Sequence, residues 1–141
     1  MSAFLVKTEP STYSFEDLLR DRRTTWDGVS NPLALIHLRT MKQGDAIVVY
    51  HSGKDKAVVG LAEVARGPYA DPQLADPKRV VVDLVARGAV ATPVALATFR
   101  ADAVLKSTDL VKNSRLSVMP LSDAQYARVL ALAGAAPPRG R

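Results

Sequence analysis

The sequence predicts an α+β domain built on one curved, mostly antiparallel β-barrel-like sheet with flanking helices. Three observations carry this expectation. Apolar strand-like runs and helical segments interleave before residue 46, whereas from Ala46 onward β-prone stretches follow one another across polar turns. Helix starts are written out in side-chain chemistry: Ser14 with Asp17, Asn31 before Pro32, and Ser122 with Gln125. The 141 residues suffice for one domain with its own core, and no repeat or linker divides them.

Ala3 to Val6 reads as a short buried strand, apolar without alternation, and Thr8-Glu9-Pro10 breaks it. Ser14 caps a helix whose inner face is Phe15, Leu18 and Leu19, and Arg20 to Arg23 leave it as a charged stretch. Trp26 to Val29 is a short strand or turn. Asn31-Pro32 opens a second helix with Leu33, Leu35, Ile36 and Leu38 on its apolar side, closed by a turn at Lys42 to Asp45. Ala46 to Tyr50 is a strand, Ser52 to Lys56 a hairpin loop, and Ala57 to Ala65 the returning strand, with Gly60 marking a bulge or close approach. Pro68 to Pro77 reads as a long loop and Arg79 to Ala86 as another strand. A short helix carrying Leu96 and Phe99 falls within Pro93 to Ala103. Leu116 to Pro120 is the last strand, and a helix from Ser122 stops at Gly134. The domain thus covers 1–134, with 135–141 expected as a disordered tail.

Composition narrows the function. Hydrophobic residues make up 48% and charged residues 23%, a globular balance. The absence of cysteine excludes disulfides, thiolate catalysis and cysteine-based zinc sites, and suits a reducing compartment. No secretion signal precedes the first strand, and no apolar run approaches the roughly 18 residues that span a bilayer, so a soluble cytoplasmic protein without membrane contact is expected. The net charge of +5 favours polyanion partners, although Arg139 and Arg141 belong to the tail.

Several residues have the chemistry of a binding site. Lys7, Thr8 and Glu9 place a cation, a hydroxyl and a carboxylate at the mouth of the first strand, where they either read the edge of a polar ring or form a surface ion pair. Trp26, the only tryptophan, sits beside Asp27-Gly28 and is either a stacking platform or core filling. Tyr13, Tyr50 and Tyr69 are further aromatic candidates. Asn31 offers the donor and acceptor that pair with base edges, though a helix cap accounts for it fully. His51 and Ser52 end a strand at a loop. Arg115 and Ser117 alternate with apolar neighbours, fall on one strand face and suit a phosphate or a base carbonyl. No glycine-rich phosphate loop, helical histidine pair or nucleophile elbow is present.

In order, the stretches Leu5-Val6-Lys7-Thr8-Glu9-Pro10, Tyr13-Ser14, Trp26-Asp27-Gly28-Val29, Asn31, Leu38-Arg39, Gly44-Asp45, Tyr50-His51-Ser52, Val59-Gly60 and Arg115 to Pro120 resemble the EVE domain family from about Phe4 to the final helix. The resemblance implies a PUA-like fold, related to YTH and ASCH domains, and a non-catalytic reader of modified nucleobases, modified cytosines included. It implies DNA or RNA carrying a modified base as partner; a monomer without cofactor or metal is expected. It places the pocket on Lys7, Thr8, Glu9, Trp26, Gly28, Val29, Asn31, His51, Ser52, Arg115 and Ser117. The sequence departs from the family pattern at Ser30, Pro32, Leu35 and Ile36, where arginine, tyrosine and asparagine are common, which makes this helix face apolar. Two other readings remain: a sensor of a small molecule or protein partner on the same fold, or a hydrolase acting on a modified nucleotide with Glu9 or His51 as acid or base.

Overall fold

The computed structural model describes residues 1–135. The expected tail falls outside the described residues except for Ala135, whose amide donates to Leu130 O at 2.9 Å. Six strands form one mixed sheet among the described residues: β1 (Ala3–Thr8), β2 (Arg23–Trp26), β3 (Ala46–His51), β4 (Ala57–Ala70), β5 (Val80–Ala95) and β6 (Val118–Leu121). Their order is β2-β5-β4-β3-β1-β6. Only the β1–β3 pair is parallel; it can be so because helical crossovers separate the two strands in sequence.

The helices are α1 (Phe15–Asp21), α2 (Pro32–Thr40), α3 (Leu96–Ala101), α4 (Asp109–Lys112) and α5 (Asp123–Ala133), with a 3₁₀ turn at Leu105–Ser107. Ser14 and Ser122 each complete a reciprocal cap with the side chain three residues on, and Asn31 Oδ1 accepts from the Ala34 amide at 3.0 Å. Gly134 ends α5 in the left-handed conformation.

The core lies between the sheet and these helices. Phe15, Leu18, Leu38, Ile47, Leu84, Phe99 and Met119 are fully buried. Gly60 shows why a strand carries a glycine there: a Cβ at residue 60 would clash with the Phe15 ring. The β3–β4 and β4–β5 pairings shift register around it, as the bulge expectation required.

The structure corrects several sequence expectations. β4 runs on through Gly67-Pro68 to Ala70, and β5 runs through Pro93 to Ala95. Both prolines sit where the β4–β5 register is broken, so neither removes a ladder hydrogen bond. The last strand begins at Val118, leaving Arg115 to Ser117 in the segment that leads into it. Arg23 belongs to β2 rather than to a charged stretch leaving α1. Leu19, Leu33 and Ile36 face solvent: a helix of α2's length offers one inward stripe, and Ala34, Leu35 and Leu38 occupy it. Among the described residues no helix is long and apolar enough to cross a membrane.

Candidate functional site at the open seam of the sheet

β2 and β6 are opposite edges of the sheet, each paired on one side only. Even so, one cavity of about 460 Å³ is walled by Thr24, Thr25 and Trp26 of β2, by Lys7 and Thr8 of β1, and by Ser117 just before β6. The sheet therefore curls until its two edges face each other, and the cavity occupies the seam that no strand pair closes. Thr12, Tyr13, Asp27, Gly28 and Val29 complete the wall. The volume lies within the range of pockets that enclose small ligands, roughly 300–1,000 Å³.

Trp26 ends β2 opposite Val82; at 8% exposure it packs into the core and borders the cavity with what remains of its surface. Tyr13 meets it edge-on, with ring centroids 6.4 Å apart at 85°. Tyr13 is held at three points. Its amide donates to Glu9 O at 2.9 Å, its carbonyl accepts from Thr8 Oγ1 at 2.6 Å, and its hydroxyl donates to Asp21 Oδ2 at 2.8 Å. Burial, aided by the neighbouring Asp21 carboxylate, raises the Tyr13 phenol above its ordinary value, so the hydroxyl stays protonated and donating.

Past Trp26 the chain must leave the edge strand and enter α2. Gly28, at φ +76°, makes that turn in the left-handed region. Arg79 Nε then pins the loop by donating to Val29 O at 3.0 Å, while Arg39 reaches Lys78 O at 2.8 Å and ties α2 to the same segment. On the far wall Lys7 is half-buried, and its desolvated ammonium titrates below the usual lysine value. Lys7 Nζ donates to Ser114 O at 2.8 Å and lies 5.8 Å from the Tyr50 ring centroid; the Lys7 amide donates to Ser117 O at 2.9 Å.

Of the residues the sequence nominated, the cavity gathers Lys7, Thr8, Trp26, Gly28, Val29 and Ser117. Glu9, Asn31, His51, Ser52 and Arg115 are outside its wall. Glu9 has left the strand. Its carbonyl closes the turn that brings Tyr13 round, and its Oε1 accepts from the amide and hydroxyl of Ser11, both at 3.0 Å. Its side chain lies against Gly53 in a separate cleft bounded by Pro10, Ser11 and residues 53–56. Asn31 is occupied as the α2 cap, and Ser52 sits behind Thr8, its amide donating to Thr8 O at 2.9 Å. Arg115 is exposed two residues ahead of Ser117.

His51 is 3% exposed, and its two nitrogens have defined roles. Nε2 accepts the Phe15 amide at 2.9 Å, so the proton sits on Nδ1 and faces Asp55 Oδ2 at 3.0 Å. A hydrolase using His51 as base would first have to break this buried bond. His51 instead fixes the start of α1, two residues after Tyr13. His51→Leu should leave the Phe15 amide buried and unpaired, at a cost of about 1–3 kcal/mol. Calorimetric melting would show this as a lower midpoint; an unchanged midpoint would remove His51 from the support of the cavity wall.

Thr12, Thr24, Thr25 and Asp27 were not among the nominated residues, and Tyr13 was weighed only as a spare aromatic. Thr24 and Thr25 had a usable signal, since they precede Trp26 on the same short strand. Among the described residues no cluster of three or more His, Asp or Glu is placed to hold a metal ion.

A sheet curled this far, left open along one seam and padded by short helices, is a PUA-like architecture. The chain belongs to the EVE domain family, whose model matches residues 2–132. It is similar to thymocyte nuclear protein 1 of Rattus norvegicus, at 30% identity over 95% of this chain and 74% of the relative. It is also similar to a Rhodopseudomonas palustris protein solved by NMR, with 38% identity, TM-score 0.90 and coverage of 95% and 94% of the two chains. Human THYN1, crystallised in complex with DNA containing 5-methylcytosine, superposes with TM-score 0.87 at 28% identity, covering 97% of this chain and all of that one.

Proposed function

We propose that this protein is a non-catalytic nucleic-acid-binding module that takes one modified base, of the modified-cytosine type, into the seam cavity. The observation that carries the reading is the cavity itself. It sets a Trp26–Tyr13 aromatic corner against Thr24, Ser117, Lys7 and Asp27, within a volume suited to a heterocycle, while the Thr8 and Thr25 hydroxyls brace its wall by donating to Tyr13 O and Asp83. Aromatic faces bind bases by stacking, and the polar rim reads the base edge. The human relative's complex with methylated DNA supports the same use of the fold here. Arg115, exposed beside the Ser117 wall and without an acidic partner among the described residues, would contact phosphate. Asn31, His51 and Ser52 would serve from behind, holding the loop, the α1 start and Thr8 in place.

A base in a duplex must be extruded at a few kcal/mol, so single-stranded oligonucleotides test the pocket most directly. Fluorescence anisotropy should show tighter binding of a 5-methylcytosine oligonucleotide than of its unmodified counterpart. Affinity should fall with salt by a slope of about −0.7 per phosphate contacted. Equal affinity for both oligonucleotides at every salt concentration would leave only a polyanion binder and overturn the reading.

A further inference from the structure

The chain has fourteen aspartate and glutamate side chains, all within the described residues. Nearly all are accounted for by their surroundings. Ten accept hydrogen bonds or ion pairs, from Glu9 with Ser11 through Asp102 with Arg128. Glu16, Asp109 and Asp123 have no such partner, but each lies in the first turn of a helix, where negative charge is favoured. Asp27 has neither: an exposed residue at the cavity mouth, it accepts no hydrogen bond among the described residues, belongs to no helix, and lines the seam cavity directly after Trp26.

Its position is also fixed. Trp26 on one side belongs to the sheet, and Gly28-Val29 on the other is held by Arg79. Across the cavity Lys7 of β1 lines the same wall with its Nζ donating to Ser114 O at 2.8 Å, and among the described residues no ion pair joins it to Asp27. The cavity wall thus carries an acceptor-only carboxylate just past β2 and, from β1, an ammonium with two donors beyond the one given to Ser114 O. A ring with an exocyclic amine beside a ring nitrogen and carbonyl complements that pair; a ring with a carbonyl at the amine position meets the carboxylate with a second acceptor.

We propose that Asp27 is the specificity-determining residue of this cavity, selecting an amino-bearing base of the cytosine type by accepting from its exocyclic amine while Lys7 donates to the ring's acceptor edge. The assignment rests on the reading that a base enters the cavity. Carboxylate acceptance from a cytosine amine is a standard base-edge pairing, and a good pair discriminates by roughly 1–3 kcal/mol, or about 5- to 150-fold.

5-Methylcytosine and thymine share the 5-methyl group and the 2-carbonyl and differ at position 4, with its effect on the ring nitrogen, so two single-stranded DNA oligonucleotides differing at one such base isolate the question. The wild-type protein should bind the 5-methylcytosine strand at least about 5-fold more tightly than the thymine strand. Asp27→Asn, whose amide can donate to the thymine carbonyl, should erase or reverse that preference without moving the melting temperature. A wild-type preference that survives in Asp27→Asn, or a wild type that binds both strands equally, overturns the assignment of Asp27 alone. Binding of neither strand by the wild type overturns the base-pocket reading and this assignment with it.

Discussion

Replacing Trp26 by leucine should weaken binding of a 5-methylcytosine oligonucleotide by about 5- to 150-fold, the 1–3 kcal/mol that base–aromatic stacking supplies. Leucine is the informative choice because Trp26 has two duties. At 8% exposure most of its ring fills the interior, and truncation to alanine would remove about 3–5 kcal/mol of stability along with the platform. Leucine keeps apolar volume beside Tyr13 while removing the π face. Circular dichroism melting should confirm that Trp26→Leu remains folded at the assay temperature, and anisotropy titration then reads the loss. The thymine strand should lose affinity in parallel, since stacking tolerates any base; this separates the platform from the edge-reading carboxylate next to it. A folded Trp26→Leu protein with wild-type affinity would mean that the ligand sits elsewhere.

Local chemistry made much of the fold legible. The Ser14 and Ser122 caps, the Asn31-Pro32 helix start and the bulge at Gly60 are each decided by residues a few positions apart, and the structure has them all. Expectations failed where a distant partner decides. Pro68 and Pro93 read as breaks because their neighbours along the chain do not reveal a register already broken across the sheet. Leu33 and Ile36 read as inward because a nine-residue helix rich in apolar residues does not announce which stripe meets the core. The same division runs through the site. Trp26, Lys7 and Ser117 come from three separated segments, and only the curl of the sheet brings its two edges to one cavity. Glu9 and His51 follow or end strands beside that cavity, yet a turn at Glu9 and a backbone amide at Phe15 take their side chains elsewhere.

The placement of Trp26 depends in turn on one buried carboxylate. β2 is a four-residue edge strand, too short to hold its position by ladder bonds alone. Asp83 of β5, directly opposite Thr25, supplies the anchor: its oxygens accept from Thr25 Oγ1 and from Arg23 at 3.0 Å each, and from the Tyr69 hydroxyl. Burial alone would raise this carboxyl, but the bonds from Tyr69, Arg23 and Thr25 outweigh it and hold Asp83 below the usual carboxylate range. A depressed folded value means that the stabilisation is fully present above the unfolded value of about 3.9 and is lost as pH falls through the folded value. Asp83→Asn should therefore cost about 2 kcal/mol at pH 7, the scale of a hydrogen bond to a charged group. For a domain of this size that corresponds to a melting temperature lower by roughly 5–10 °C. The difference between wild type and variant should shrink below about pH 4, because protonation removes from Asp83 the same charge that the substitution removes. Thermal melts at pH 7 and pH 3 check both parts. A gap that stays constant with pH would show that shape rather than charge holds the strand, and the position of the indole would then need another cause.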